Sequence, residues 1–476
     1  MKMLINLKKH TVLFAILIGA FSLVLTNSAF NILLPNFVEM YNISTVYGGW
    51  IIALYLLAMT ITMPLTACIV DRLGRKKTYI LGIGLYGVFS IIGGIFSQYV
   101  QTILIVRFMH GVSAGLMIPL SLVLLFDIYS KEVRGKVTGA WGMLLTIAPA
   151  VGPTFGGFII QFGEMKHLFW INVPFALLSL ILCYRQITPD TPAHRKTIRL
   201  QGIGLMVLGV GGLSLGIQMV SNQTFPGWAA SALLILGAVI LVRFIQLEDR
   251  QKEPLIRFRL LQNPVYAASV IMSAVHASVM FGVIFILPLM FQEVFDLSPS
   301  LTGVLFIPTA ICTSLFVWIG GNLIDSGKSM RFIVYGIGLI AISILFFAFI
   351  PKGVPLILIF ILMAGRGIGV GLSNMPVTTI GLNSLKDDDL HEGSTLSNTI
   401  KRLASSFSVI LLSVYYDIRW HMIIQSGERP ELAKWIALKE ESLMLGVCML
   451  LTLPLASFLN RSKVNEGVEN VRKKTI

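Results

Sequence analysis

Charged residues are scarce in this sequence of 476 residues. Only 13% of its residues are Asp, Glu, Lys or Arg, against about 25% in a typical soluble domain. Long polar linkers are also missing, which excludes an ordinary multidomain soluble protein. Apolar residues make up 55% of the chain, in runs long enough to cross the ~30 Å hydrocarbon core of a bilayer. The composition therefore predicts a polytopic α-helical membrane protein.

Cysteines and clusters of reactive side chains are equally rare. The four cysteines, Cys68, Cys183, Cys312 and Cys448, lie far apart and mostly in apolar runs. That spacing is typical of small buried hydrophobic residues, and it indicates neither a disulfide framework nor a metal site. Paired acids, a nucleophile–base set and a nucleotide-binding loop are all missing from the sequence. We therefore expect neither an enzyme nor an ATP-driven pump, and no metal or cofactor.

Fourteen apolar segments are predicted as membrane-spanning helices, because backbone polar groups cannot stay unpaired in lipid. The first is too long for the apolar part of a signal peptide, and residues 35–37 do not form a small-residue cleavage site. Their approximate bounds are 11–37, 47–70, 78–97, 102–126, 138–161, 167–184, 201–221, 227–246, 265–291, 301–324, 331–350, 355–380, 395–416 and 440–460.

The placement of the basic residues predicts the orientation of these spans. Most of the 37 Lys and Arg lie in the segments that an even number of spans places on the same side as both termini. The opposite loops hold Lys166, Lys352, Arg419, Arg429 and Lys434. Because basic loops stay in the cytoplasm, both termini are predicted to be cytoplasmic. The net charge of +14 then indicates contact with anionic membrane lipid, not with nucleic acid.

Two pairs of landmarks indicate an internal repeat. Asp71 and Asp325 follow the second and tenth spans and are 254 residues apart, and Arg107 and Arg366 in the fourth and twelfth spans are 259 apart. Similar offsets favour two six-helix halves in the same orientation. Because the offset corresponds to eight spans, two helices are inserted between the halves. The predicted domains are residues 1–190, the inserted pair 191–250, and 251–476.

Four stretches of the sequence resemble family signatures. Residues 71–77 resemble the loop signature that follows helix 2 in the major facilitator superfamily, and 107–119 resemble its helix 4 signature. Residues 148–157 resemble the helix 5 signature of exporters, and 170–174 resemble the start of helix 6. In this order, the stretches are similar to the fourteen-helix drug–proton antiporter branch of the superfamily over nearly the whole chain. The resemblance implies a 6+2+6 major facilitator fold in a bacterial plasma membrane.

The loop signature implies a cytoplasmic gate. By resemblance, Asp71 lies against the N-terminus of the thirteenth span, where the helix dipole favours a carboxylate. Arg75 then bridges to Asp127 through charge-assisted hydrogen bonds. Arg72 and Gly74 belong to the same signature, although basic residues at this membrane edge are also typical topology anchors.

The small residues and prolines of the helix 5 run, residues 148–157, favour close packing against another helix. Gly152, Gly156 and Gly157 remove side chains and let another helix approach closely, while Pro153 removes a backbone donor and bends the helix. A close helix contact of this kind between moving bundles would determine which conformational state of a transporter is preferred. Plain helix packing is the alternative interpretation.

Two titratable or charged side chains lie close together in the fourth span. A buried guanidinium at Arg107 is a hypothesis for a functional site because charge in a membrane span is costly, and the resemblance implies a part in proton handling. Snorkelling to the outer surface is the alternative. His110 stands where the family commonly has Gln, and it is either a titrating group or a core histidine. Glu39 and Asp127 are the other candidates for proton coupling.

The family pattern fails at the first span. Thr26 stands where this branch usually carries an acid, although Asn31 and Pro35 match the pattern. No Asp or Glu is expected in the middle of any span, whereas basic side chains are present. The cavity is therefore predicted to favour neutral, zwitterionic or anionic amphiphiles over organic cations. Its candidate lining residues are Thr26, Asn27, Asn31, Asn172, His276, Arg366, Lys401 and Arg402.

These observations predict a secondary active exporter of lipophilic or drug-like small molecules, coupled to protons and working by alternating access. Export or flipping of one endogenous amphiphile, such as a lipid or siderophore, is the alternative within transporters. A non-transporting sensor on the same fold is the alternative from another class.

Overall fold

The computed structural model describes residues 2–129, 134–187, 200–221, 226–251, 254–325, 329–386 and 389–459. These residues form helices and their connecting turns, with no β-strand in the described part of the chain. Helices satisfy every backbone hydrogen bond within one segment, as burial in lipid requires. The predicted all-helical class is confirmed.

Seventeen α-helices lie in the described residues. The first ten are α1 (Lys2–Ile32), α2 (Leu34–Tyr41), α3 (Thr45–Leu73), α4 (Arg75–Ile95), α5 (Val100–Ile128), α6 (Arg134–Phe162), α7 (His167–Trp170), α8 (Asn172–Gln186), α9 (Leu200–Ser221) and α10 (Gly227–Asp249). The others are α11 (Pro264–Leu289), α12 (Pro299–Asp325), α13 (Ser329–Phe347), α14 (Leu356–Asn383), α15 (Leu390–Gln425), α16 (Pro430–Leu450) and α17 (Leu453–Leu459). A 3₁₀ turn (Phe258–Gln262) precedes α11 and a π turn (Met290–Val294) follows it.

The number of membrane spans agrees with the prediction. Thirteen described helical segments are long and apolar enough to cross a bilayer. The remaining predicted span, 138–161, falls on α6, whose described apolar part is Val151–Phe162. The predicted polytopic helical class is therefore confirmed, with a number of spans near the predicted fourteen.

Prolines break two of the predicted spans. The predicted span 11–37 ends as α1 at Ile32, and α2 begins at Leu34 with Pro35 in its first turn. The predicted span 167–184 is divided into α7 and α8, with Pro174 two residues after the break. Proline has no backbone N–H to donate, and its ring clashes with the carbonyl four residues earlier, so a helix cannot run straight through it.

The last two spans differ most from the prediction. We predicted 395–416 and 440–460, but α15 continues to Gln425 and α16 begins at Pro430. Most of the predicted outer loop is therefore helical. Proline followed by an acid is a common helix start, because the first turn has unused N–H groups and a positive dipole end. The expectation that no acid lies inside a span is wrong, because Glu441 lies inside α16 and is fully buried.

The chain divides into two compact units. Unit 1 comprises residues 1–241 and 291–307, and unit 2 comprises 242–290 and 308–476. Within unit 1, α1 packs on α6 and α8, and α5 packs on α3 and α4. Within unit 2, α11 packs on α14, α15 and α16, and α13 packs on α14 and α16. The predicted division into 6+2+6 helices stays a prediction.

A glycine seam occurs in both units. In unit 1, a side chain at Gly111 of α5 would strike the carbonyl of Tyr55 in α3, and in unit 2 one at Gly367 of α14 would strike the carbonyl of Thr309 in α12. The glycines are 256 residues apart and their partners 254 apart. Such contacts bring the two backbones of each pair close together.

A second pair of glycines repeats the seam at the same offset. Gly115 meets Thr62 in α3, and Gly371, 256 residues on, meets Phe316 in α12. At this offset of 256 residues, Arg366 does not correspond to Arg107, so the predicted pairing of these two arginines at an offset of 259 is corrected. Arg366, 256 residues after His110, directly precedes a seam glycine as His110 does.

Candidate functional site

A chain of polar side chains is buried inside unit 1. The hydroxyl of Thr26 in α1 donates to Oδ1 of Asn172 in α8 at 2.5 Å. The Tyr86 hydroxyl from α4 lies 3.2 Å from Thr26 Oγ1 and 2.9 Å from Ser22 Oγ. Since each hydroxyl has one proton to donate, the direction is Ser22 to Tyr86 to Thr26 to Asn172. The position where an acid was expected is thus a neutral, satisfied network.

The guanidinium of Arg107 lies beside this network and is fully buried. Its Nε donates to the Ile51 carbonyl at 2.7 Å, and its Nη2 donates to Asn27 Oδ1 at 2.6 Å. Its Cζ is 4.8 Å from the centre of the Phe30 ring and 4.6 Å from that of Tyr55, within the range of cation–π attraction. Burial excludes the snorkelling interpretation. The partners from α1 and α3 are neutral, so the positive charge is held without a counter-ion among the described residues.

One donor of Arg107 remains available. Its Nη1 is buried and has no hydrogen-bond partner in the described part of the chain. A buried unpaired donor of a charged group is costly, so it is rare in folded proteins and requires an explanation, such as a ligand that completes the bonding. None of the Asp and Glu side chains that the structure describes in unit 1 is buried. The Nη1 group can therefore donate a hydrogen bond to an anionic or neutral oxygen of a ligand.

His110 lies one helical turn from Arg107 and is also buried. Its Nε2 is 3.1 Å from Ser90 Oγ, and its ring centre is 4.9 Å from that of Tyr86. The histidine therefore packs against Tyr86 of the hydroxyl network. Its role in proton coupling stays a prediction.

The predicted helix 5 glycines lie at close helix contacts. A side chain at Gly156 of α6 would meet the Ala29 carbonyl of α1 at 2.7 Å, and one at Gly152 of α6 would meet Ser28 of α1. Gly157 meets the carbonyl of Pro299, at the part of α12 that belongs to unit 1. Pro153 is buried beside these glycines. The close approach predicted for this run is present, while its role in gating stays a prediction.

The predicted gate residues surround the turn between α3 and α4. Gly74 forms this turn with φ of 82°, a conformation that favours glycine. Arg75 then begins α4, and its Nη1 lies 2.5 Å from both carboxylate oxygens of Asp127 at the end of α5. The predicted ion pair is thus present in unit 1. Asp71 and Arg72 occupy the last turn of α3, half-buried and exposed respectively.

The candidates in unit 2 are separate from this cluster along the chain. His276 of α11 is a satisfied core histidine: Nδ1 lies 2.9 Å from the Met272 carbonyl and Nε2 lies 2.8 Å from Ser373 Oγ. Arg366 of α14 is buried, and its Nη1 has no described partner. Lys401 and Arg402, on α15, are half-buried.

Two predicted residues lie near the end of the first span. Glu39 is exposed on α2. Asn31 is buried near the break before α2, and its Oδ1 has no described hydrogen-bond partner. Asn31 lies in α1 one turn after Asn27, whereas Glu39 lies beyond the break, on α2.

Sequence reasoning missed three buried polar groups. Ser22 and Tyr86 lacked any motif, and only the packing of α1 on α8 and α4 reveals their network with Thr26. Glu441 was missed because the last predicted span began at residue 440 and placed this acid at its edge, whereas α16 begins at Pro430. The helix start signal at Pro430 was available in the sequence.

The arrangement can bind and orient a small molecule, and the described residues contain no group of three His, Cys, Asp or Glu that could hold a metal ion. A helical chain with thirteen described apolar spans, paired glycine seams and a buried cation inside the membrane defines the class of secondary transporters.

The particular family follows from the comparison with known proteins. The model of the Major Facilitator Superfamily matches residues 16–409, so this chain belongs to that superfamily. It is a multi-pass protein of the bacterial plasma membrane, and its family is a class of transporters, not of enzymes.

Relatives and solved structures agree with this assignment. The chain is 27% identical over 400 residues to the uncharacterized MFS-type transporter YcnB of Bacillus subtilis (strain 168), covering 83% of this chain and 84% of the relative. It is 25% identical over 407 residues to the lincomycin resistance protein LmrB of the same organism, covering 84% of each. A bacterial homologue of the human lysosomal transporter Spinster has the same fold, with a TM-score of 0.69 at 13% identity over 96% of this chain and 98% of the other.

Proposed function

We propose that this protein is a secondary active exporter of lipophilic or drug-like small molecules, driven by exchange with protons and working by alternating access. The observation that supports this most is the Arg107 site. A buried cation between the rings of Phe30 and Tyr55, with one donor unpaired, suits an amphiphile that has an apolar body and an oxygen-bearing polar end.

The proposed direction of transport rests on α6. Its 148–157 run resembles the exporter signature, and Gly152 and Gly156 bring α6 against α1. A relative of this chain is named for lincomycin resistance, which fits export of a drug from the cell. Small residues at a helix contact let the two backbones approach closely, which in this proposal seals the contact between α6 and α1.

The proposed charge preference rests on the first helix. Thr26 donates to Asn172 where an acid would attract a cation, and Arg107 has no anionic partner among the residues described. A site with a positive group and no carboxylate attracts neutral, zwitterionic or anionic molecules and disfavours cations. We therefore place zwitterionic and anionic amphiphiles ahead of quaternary ammonium compounds as substrates.

The proposed cytoplasmic gate includes Arg75 and Asp127. Their ion pair ties the start of α4 to the end of α5. Asp71, which belongs to the same loop signature, is included in this proposed gate. Breaking and reforming these contacts would accompany each transport cycle.

The test is transport by the full chain in proteoliposomes with and without an imposed pH gradient. Rhodamine B serves as the zwitterionic probe, anilinonaphthalene sulfonate as the anionic probe and ethidium as the cationic probe. We expect the pH gradient to drive uptake of the first two into inverted vesicles more than uptake of ethidium. Transport of all three that is independent of the gradient would contradict proton exchange, and a preference for ethidium would contradict the proposed charge selectivity.

The same assay separates the first set of proton candidates. Glu39→Gln, His110→Gln and Asp127→Asn each remove one titratable group while keeping its approximate size. Loss of gradient-driven transport in one variant would identify its residue as a coupling group. Full coupling in all three would reject this set and direct attention to unit 2.

A further inference from the structure

Unit 2 contains a buried acid that no part of the proposed mechanism has used. Glu441 lies on α16 and has no exposed surface. Neither of its carboxylate oxygens has a hydrogen-bond partner among the described residues. An ionised carboxylate in this situation loses its hydration without replacement, which costs several kcal/mol. A protonated carboxyl group avoids most of this cost.

Two of the helices around Glu441, α11 and α13, carry no cation in the turns that lie near it. One turn further along α16, Gly446 packs against Leu345 of α13, and Leu445 packs against Gly282 of α11. Residues 341–347 of α13 and 282–289 of α11 contain no titratable side chain. Two of the three helices that pack on α16 therefore present an apolar wall at this depth.

The third neighbouring helix, α15, carries the nearby charged and titratable groups. Arg419 donates from Nε and Nη2 to the two oxygens of Glu440, each at 2.7 Å, and the Tyr415 hydroxyl donates to Glu440 at 2.7 Å. The cation is thus paired with Glu440 and not with Glu441. The other groups of α15 in these turns are Tyr416, which is buried, and Asp417, which is 3.9 Å from His421.

The remaining charge on this part of α16 is Lys439. Its Nζ lies 5.3 Å from the centre of the Phe349 ring and 5.2 Å from that of Trp435. The Lys439 ammonium group therefore makes cation–π contacts with these two rings. Because Arg419 is already paired with Glu440, a negative charge on Glu441 would be desolvated without a cation of its own to balance it.

We propose that Glu441 binds a proton at neutral pH and that this proton is the one exchanged for substrate. The inference rests on the proposed function, and it places the coupling group in unit 2 instead of at the missing acid of the first span. In this proposal the carboxyl group takes up one proton from the outer side when movement of α15 and α16 exposes it there, keeps the proton while it is buried, as here, and releases it to the cytoplasmic side later in the transport cycle.

The position of Glu441 on α16 suits such an exchange. It lies eleven residues after Pro430, about 16 Å along the helix at 1.5 Å per residue. The adjacent pair of Glu440 and Arg419 is part-exposed, with 28% and 39% of each side chain accessible. The proposed exchange requires a shift of these helices that connects the buried acid with water at the predicted outer side.

Infrared spectroscopy of the full chain in liposomes tests the bound proton directly. We would compare the wild type with Glu441→Gln at neutral pH, where exposed carboxyl groups are ionised. We expect the difference spectrum to contain the carbonyl band of a protonated carboxyl group. The matched control is Glu431→Gln, an exposed acid on the same helix, whose difference spectrum should contain carboxylate bands. Carboxylate bands for Glu441 would overturn the inference.

Transport driven by a pH gradient, with rhodamine B as the probe, tests the exchange. Glu441→Gln resembles the protonated acid in shape, so we expect it to fold and to lose gradient-driven uptake to the level of empty liposomes. Glu441→Asp keeps a titratable acid and should restore part of the uptake, whereas Glu431→Gln should match the wild type. Full gradient-driven uptake by Glu441→Gln would overturn the assignment.

The two measurements also separate this inference from the proposed function. A wild type that holds a protonated Glu441 but ignores the pH gradient contradicts proton-driven export, overturns the exchange step and supports only the bound proton. A wild type that is driven by the gradient while Glu441 is ionised supports the export mechanism and overturns the inference.

Discussion

Helix α5 of unit 1 and helix α14 of unit 2 share one packing surface but carry different charges. In both helices, glycines 256 residues apart press against backbone carbonyls of a neighbouring helix. At the same offset, Met363 of α14 stands where α5 has Arg107, and Arg366 stands where α5 has His110. The repeat therefore preserves the shape of the helix contact while the chemistry of each unit is its own.

The difference follows from what each kind of position must do. A seam glycine has a backbone carbonyl within contact distance, so any side chain there forces two helices apart. A polar position beside the seam needs only that its hydrogen bonds be satisfied or completed by a ligand. Unit 1 holds its buried charge as a cation at Arg107, whereas unit 2 adds the buried acid Glu441.

The largest effect is expected from Arg107→Met, which gives unit 1 the residue found at the corresponding position of unit 2. Asn27 Oδ1 and the Ile51 carbonyl would each lose a hydrogen bond from a charged donor, and such bonds contribute about 1.5–3 kcal/mol. We expect transport of rhodamine B in proteoliposomes to fall to the level of empty vesicles and the melting temperature in detergent to fall.

The matched control is Met363→Leu in unit 2. It conserves volume in the core, so we expect it to cost less than about 1.5 kcal/mol and to leave transport intact. Normal transport by the Arg107→Met variant would contradict the prediction that unit 1 needs a cation at this position. Equal loss of transport in the Met363→Leu variant would contradict the prediction that unit 2 does not depend on this position.

A smaller effect, equal in both units, is expected from Gly111→Ala and Gly367→Ala. The added carbon of Gly367→Ala would lie 2.5 Å from the Thr309 carbonyl, and such overpacking costs about 1–3 kcal/mol. The melting temperature in detergent measures the loss. As controls, Gly84→Ala and Gly338→Ala have no neighbouring atom within 4 Å and should be neutral or stabilising through helix propensity. Damage in one unit only would refute the shared seam.

The smallest effect on stability is expected at the Arg75–Asp127 pair. Its side chains are 42% and 44% exposed, and such pairs contribute about 0–1 kcal/mol. We nevertheless expect Asp127→Asn to slow transport, and the double reversal Arg75→Asp with Asp127→Arg to restore part of the rate. Glu164→Gln, which removes the exposed pair with Lys166, should change neither property. An unchanged rate in Asp127→Asn would exclude this pair from the gate.

Several features of the fold were predictable because they depend on composition over long stretches. Fourteen apolar runs in a chain with only 13% charged residues can only be helices in a bilayer, since no other open structure pairs its backbone groups in lipid. Glycine runs such as 152–157 predicted close helix contacts, and the Arg75–Asp127 pair followed from a family resemblance. Helix ends were less predictable, because apolar patterns do not distinguish a loop from a helix that extends beyond the membrane.

The sequence by itself determined the membrane class, the number of spans and the absence of an acid at Thr26, because these depend on residue types and on their order. Only the tertiary structure decided that Thr26 is satisfied by Asn172, that Arg107 keeps one donor unpaired and that Glu441 is buried without a cation. Burial and pairing depend on which helices meet. Residues far apart in the chain supply those contacts, and no local pattern records them.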